Sequence, residues 1–336
     1  MSKKLVYMVV DTETATLPFV REIARNEDEK KIIAIAKPLV YNIGWTLMYR
    51  SGEIIAREEY VISEIFSVPS IFNTAYYKDK RPYYLEGIKN GSIKLAGWNE
   101  AMKSFEYALQ HSDFVGAFNS MFDFKKAIPF TELYINKLYS EDYYRWEEIQ
   151  RIICRNIIDG RRAKKEREFQ PDIFKFRGHD YKLFDIWGMA CKYLINKQSY
   201  KDRCLDNEML TASGVYFKTS AESTFRYLCK KYDFDEAHTA LADAEIESYI
   251  LARILHDRAV EVGIDYFPFQ RLGNTVDYVE SVRDTNKKKK YAQNVHSAML
   301  RYLGEYEEEN LTPYQKTVLR QVRVLEEIMM VNKSFT

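Results

Sequence analysis

Two carboxylates, Asp11 and Glu13, stand one residue apart at the end of an apolar run, Leu5 to Val10. A run this rich in β-branched and aromatic residues reads as a buried strand. Buried carboxylates without partners cost several kcal/mol, roughly, and a divalent cation with oxygen ligands is the usual compensation. The same pair also suits a strand that simply leaves the core for solvent, and D-x-E alone does not separate the two. Two later segments carry matching chemistry. Asn119-Ser120-Met121-Phe122-Asp123 follows a short apolar run, Asp113 to Phe118. Asn119 suits a helix N-cap and places Asp123 in the first turns, where an acid also favours the helix start. In Asp235 to Glu245, Thr239 is the expected N-cap. His238 then falls in the loop before the helix and Asp243 on the helix itself. Glu247 shares the face of Asp243 and is the decoy of the set, whereas Glu245 points elsewhere.

The elements that position these residues alternate between strands and helices. Leu39 to Met48 is predicted to be a strand, Ser51-Gly52 a turn and Glu53 to Ile62 its hairpin partner, giving an antiparallel meander with the Asp11 strand. Asn99 to His111 has helical spacing. Tyr181 to Trp187 is a further strand, with Asp185 at its end capping the helix Gly188 to Ile195 rather than binding metal. Two stretches break the pattern. Residues 64–97 mix Tyr76, Tyr77, Tyr83 and Tyr84 with Lys78, Lys80, Arg81, Lys89 and Lys94, the make-up either of a single-strand contact surface or of an aromatic insertion with its own core. Residues 141–180 contain Arg161, Arg162, Lys164 and Lys165, either a solvated face or a phosphate-binding run.

Composition narrows the class. With 336 residues, 46% hydrophobic and 29% charged, the chain has the balance of one large or two modest globular domains. Its net charge of +1 leaves any nucleic acid to local basic patches. Four widely spaced cysteines, Cys154, Cys191, Cys204 and Cys229, contain no C-x-x-C pair, which argues against a zinc site and for reduced thiols in a cytoplasmic protein. No apolar stretch approaches the roughly 20 residues of a membrane span. Composition shifts near residue 261, so residues 1–260 are expected to form the main domain and 261–336 a mainly helical extension. Its last helix opens at Thr312-Pro313 and carries Val318, Leu319, Val322, Leu325 and Met329 on one face. That face is expected to dock on the main domain, on a second copy of the chain or on a polymerase or other replication partner.

In chain order, Asp11-x-Glu13, Asn119-x-x-Phe122-Asp123 and His238-x-x-x-x-Asp243 resemble the motifs of the DEDDh (DnaQ-like) 3′–5′ exonucleases, which include proofreading and RNase T-type enzymes. The resemblance covers about residues 5–259, and Glu236 to Glu245 is its closest stretch. It implies an RNase H-like α/β fold, a mixed five-stranded sheet flanked by helices. It also implies two Mg²⁺ or Mn²⁺ ions held by Asp11, Glu13, Asp123 and Asp243. By the resemblance Asp11 bridges both ions, His238 is the general base, the backbone around Thr12 to Thr14 holds the terminal nucleotide, and Asn119 helps position it. The basic residues Arg161, Arg162, Lys164 and Lys165 would add phosphate contacts. The implied activity is hydrolysis from the 3′ end of single-stranded DNA to nucleoside 5′-monophosphates, in a bacterial or phage-infected cytoplasm; the composition is similar to phage and mobile-element exonucleases. RNA or short oligonucleotides are the alternative substrate. A non-catalytic nucleic-acid-binding module is the rival of another class, with a structural protein carrying incidental motifs behind it. The two long insertions and the C-terminal extension depart from the core family.

Overall fold

The computed structural model describes residues 4–160, 173–194, 197–211, 214–257, 285–305 and 307–331. Seven strands form one mixed sheet: β1 (Val6–Thr16), β2 (Pro38–Tyr49), β3 (Ile54–Ile62), β4 (Lys94–Ala96), β5 (Phe114–Ala117), β6 (Ile173–Phe176) and β7 (His179–Asp185), in the order β4-β3-β2-β1-β5-β7-β6. The expected meander is present, since β2 lies antiparallel to both β1 and β3. β5 then pairs parallel with β1, and β7 parallel with β5. β2 is buried along nearly its whole length, as a strand covered on both faces must be, and its Val, Ile, Leu and Trp content fits that place.

The sheet exceeds the expected five strands because both pattern-breaking stretches extend it. β4, three residues inside 64–97, pairs parallel with β3 at one edge. β6, four residues inside 141–180, pairs antiparallel with β7 at the other. Neither is long enough to show a period of two in sequence. The 64–97 stretch also feeds the core: Phe72 and Tyr84 meet Tyr41 of β2 edge-on, with ring centroids 5.1 and 5.7 Å apart. Helix Trp98–Gln110 buries Ala101, Met102, Phe105 and Leu109, the face its spacing predicts.

The chain divides into two compact units, Met1–Ile186 with Asp235–Ile264, and Trp187–Phe234 with Asp265–Thr336. The division differs from the expected break near residue 260, because residues 187–234 group with the C-terminal residues. In the second unit, Val318, Leu319 and Val322 of helix Pro313–Val331 are buried, as are Val295, Met299 and Leu303 of helix Thr285–Leu303. The final helix therefore turns its apolar face onto a neighbour within its own unit, and His296 Nε2 lies 2.9 Å from Glu326 Oε1 beside it. No helix among the described residues is long and apolar enough to cross a membrane.

Candidate metal centre

Residues two apart on a strand share a face, so Asp11 and Glu13 of β1 project together. Across the ladder Asp11 pairs with Gly44 and Glu13 with Asn42, and a bulge follows Glu13. Gly44 decides what can approach. A Cβ there would lie 2.3 Å from the Leu241 amide nitrogen and 2.5 Å from the Ala240 carbonyl carbon. Only a residue without a side chain lets helix Ala240–His256 start directly against β2. That approach brings Asp243, in the first turn of the helix, to the acids of β1. One ligand oxygen from each of Asp11, Glu13 and Asp243 then lies within 4.8 Å of the others.

The helix start is held from the sheet. Thr239, the expected cap, makes no side-chain cap bond. Asn42 does that work from β2: its Oδ1 accepts from the Ala240 amide (2.9 Å) and the Tyr84 hydroxyl (3.1 Å), while its Nδ2 donates to Glu59 Oε1 and the Tyr60 carbonyl (3.1 Å each). All four bonds a buried amide side chain can make are formed. The Leu241 amide donates to the Glu59 carboxylate.

The fourth motif acid takes a different place. Asp123 is buried at the head of a π-helical turn, Asp123–Ala127, a distortion often found at functional sites. Its Oδ1 accepts from Thr12 Oγ1 at 2.6 Å, so the Thr12 hydroxyl orients an acid. Asp123 is outside the compact triple but close enough to act on Asp11. Asn119, expected as a helix cap, adopts a left-handed conformation (φ 72°) and makes no side-chain cap bond. Its amide and that of Ser120 donate to Asp185 Oδ1, at 3.1 and 3.4 Å. Asp185 thus serves the segment that carries Asp123. Glu247, the decoy, is buried beneath the acids, where its Oε2 accepts from the Phe118 amide (3.0 Å). Glu245 turns away to pair with Arg57.

So many carboxylates in one place resist ionisation. Burial, then Asp123 and Glu236, hold Asp11 well above the ordinary carboxylate range. Burial, then Asp11 and Asp243, do the same to Glu13. Asp123 is pushed up to about 7, by burial first, against the hydrogen bond from Thr12. Asp243 is pushed up to about 9 by burial, Asp11 and Glu236, while the His238 amide and Lys80 act in the opposite direction. Asp243 Oδ1 is buried with no hydrogen-bond partner among the described residues. An orphaned carboxylate oxygen, two further carboxylates within ligand reach and an excess of negative charge fit a hard divalent cation.

His238 sits at the edge of this cluster with a left-handed backbone (φ 53°). Its side chain is 33% exposed, and Nδ1 lies 3.7 Å from Glu236 Oε2. The imidazole stacks on Tyr77, with ring centroids 4.3 Å apart and planes 13° apart. No family model, curated protein or solved structure matches the chain. The centre therefore stands on its own chemistry. Asp11, Glu13, Asp243 and, one step out, Asp123 are the acids the motifs select. Asn42 and Gly44 carry no site reading in the sequence, Tyr77 enters only within the 64–97 stretch, and Glu236 only as the first residue of the closest motif stretch. Asn42 had one signal, a lone amide in an otherwise apolar strand, and Glu236 lay two residues from His238. Thr14 lines a cavity beside the centre. Arg161, Arg162, Lys164 and Lys165 lie outside the described residues.

Proposed function

We propose that this chain is a metal-dependent 3′–5′ exonuclease on an RNase H-like fold, acting on single-stranded nucleic acid, DNA in preference to RNA. What carries the reading is the convergence of Asp11, Glu13 and Asp243 within 4.8 Å, with a partly exposed histidine joined to the same loop and helix. Asp11, Glu13 and Asp243 would hold Mg²⁺ or Mn²⁺, with Asp123 serving a second ion. Bound there, the cation would offset phosphate charge and make water a better nucleophile at neutral pH.

The side chains divide the remaining work. His238 takes the proton from the attacking water, a task suited to imidazole near neutrality. Glu236 and the Tyr77 ring hold that imidazole in one orientation. The water oxygen bonds to phosphorus, the bond from phosphorus to the 3′ oxygen breaks, that oxygen takes a proton from solvent to become the new 3′-hydroxyl, and the last residue leaves as a nucleoside 5′-monophosphate. Thr12 keeps Asp123 aimed, and Asn42 with Gly44 keep Asp243 in reach of β1.

The test is incubation of 5′-labelled single- and double-stranded DNA and RNA with Mg²⁺, with and without chelator. Stepwise shortening from the 3′ end, stopped by chelator, is expected. A protein that binds Mg²⁺ and single strands but releases no nucleotide from any of them would be the binding module instead.

A further inference from the structure

Beside the acid centre, and distinct from it in charge, is a cavity of about 500 Å³, within the range of small-ligand sites. Thr14, next to Glu13, and Phe122, next to Asp123, lie in its wall. Among the apolar and uncharged residues of the rest of the wall, such as Val20, Ala34 and Ile35, stand four basic ones, Arg21, Lys30, Lys31 and Lys78, against a single carboxylate, Glu27. Arg21 donates to the Asn73 carbonyl (2.6 Å), and Lys30 pairs with Glu27. The Lys31 and Lys78 side chains are exposed and form no hydrogen bond or close ion pair among the described residues; the acid whose charge they feel is Glu27, itself paired with Lys30. One short segment serves both places: Tyr76 and Lys78 line the cavity, and Tyr77 between them stacks on His238. Tyr76 is 75% exposed, leaving a ring face free for a base.

We infer that this cavity is a phosphate-holding subsite for nucleic acid, with Lys31 and Lys78 taking the phosphate next along from the one at the acid centre and Tyr76 offering a stacking face. The inference rests on the nucleic-acid reading above. An acid cluster repels a polyanion, and cations in the adjoining cavity would supply the attraction that the cluster lacks. The phosphate is either an internal one of the strand or a terminal 3′-phosphate; the chemistry of the subsite is the same.

The probe is a 5′-fluorescein deoxythymidine decamer with phosphorothioate links at its 3′ end, bound in Mg²⁺ and followed by anisotropy across a salt series. Each single-strand phosphate contact contributes about 0.7 to the slope of log affinity against log salt. The Lys31→Ala/Lys78→Ala double variant should lower that slope by about 1.4, which extrapolated from 1 M salt is an affinity loss of about 14-fold at 0.15 M. Lys31→Arg/Lys78→Arg should restore it, and Lys103→Ala/Lys182→Ala, exposed lysines outside the cavity wall, should change it little. Equal loss for 3′-hydroxyl and 3′-phosphate strands identifies an internal phosphate; loss confined to the 3′-phosphate strand identifies a terminal one. An unchanged slope with both ends overturns the subsite. Mg²⁺-dependent release from an unmodified decamer separates the two readings. Release with an unchanged slope removes the subsite alone, and a lowered slope without release removes the exonuclease alone.

Discussion

A methyl group added at position 44 has nowhere to go. It would stand 2.3 Å from the Leu241 nitrogen and 2.5 Å from both the Ala240 carbonyl carbon and the Leu241 Cα, where ordinary contact begins at 3.4 Å. All three are backbone atoms, so no rotamer relieves the clash. In Gly44→Ala the helix start must retreat by about 1 Å, the shortfall between those distances. The retreat falls where it matters, because Gly44 pairs with Asp11 and the displaced turn carries Asp243. Overpacking of this kind costs about 1–3 kcal/mol of stability, and a 1 Å misplacement in a catalytic constellation costs about 10²-fold in rate. Urea unfolding, calorimetric Mg²⁺ titration and nucleotide release on the same preparation give the three readouts. Ile135→Val, which trims the buried core with a comparable cost of about 0.5–1.5 kcal/mol, controls for destabilisation alone and should keep Mg²⁺ affinity. A folded Gly44→Ala protein with wild-type Mg²⁺ affinity and release rate would refute the assignment of Asp243 to the centre.

Asp11→Ala should abolish Mg²⁺-dependent release and raise the thermal midpoint of the metal-free protein, since it removes one of several mutually repelling buried acids; retained release rules out the metal role. His238→Ala should slow release by about 10²–10⁴-fold with little change in Mg²⁺ affinity, and Tyr77→Phe should keep the rate where Tyr77→Ala lowers it. Recovery of His238→Ala by extra Mg²⁺ alone would make the histidine a ligand. Without metal, stability should fall as pH rises from about 4 towards 9. Asp123 and Asp243 have native pKa values raised to about 7 and about 9. The native state therefore holds protons the unfolded chain has lost, at about 1.4 kcal/mol per pH unit for each, Asp123 up to about pH 7 and Asp243 alone from there to about 9. Mg²⁺ should flatten the profile, and a metal-free midpoint that rises between pH 5 and 9 would contradict the buried-acid account.

Much of the acid centre was legible because its parts are local. Leu5 to Val10 announces a buried strand, and acids at its end are conspicuous by cost. Asp243 falls in the first turn of the helix that Thr239 precedes, and the motif resemblance singles it out there. What was not legible depends on residues far apart in sequence. Asn42 caps a helix 198 positions away, a role no local pattern encodes, whereas Thr239 looked like a cap because it directly precedes the helix. Tyr77 meets His238 across a comparable distance. The edge strands β4 and β6 are too short for a period, and the second unit is assembled from two separated stretches, so no single change in composition could mark it.

The return of the chain to the first unit at Asp235 sets an order in time. Asp11 and Glu13 leave the ribosome before Asp243, which follows Asp11 by 232 positions. At about 5–20 residues per second that is a delay of roughly 12–46 s. During that interval β1 carries its two acids without their third partner, and no shorter nascent chain contains the complete ligand set. An acid centre wired in this way is incomplete while the chain is being made, and closes only when the helix that carries Asp243 has been synthesised.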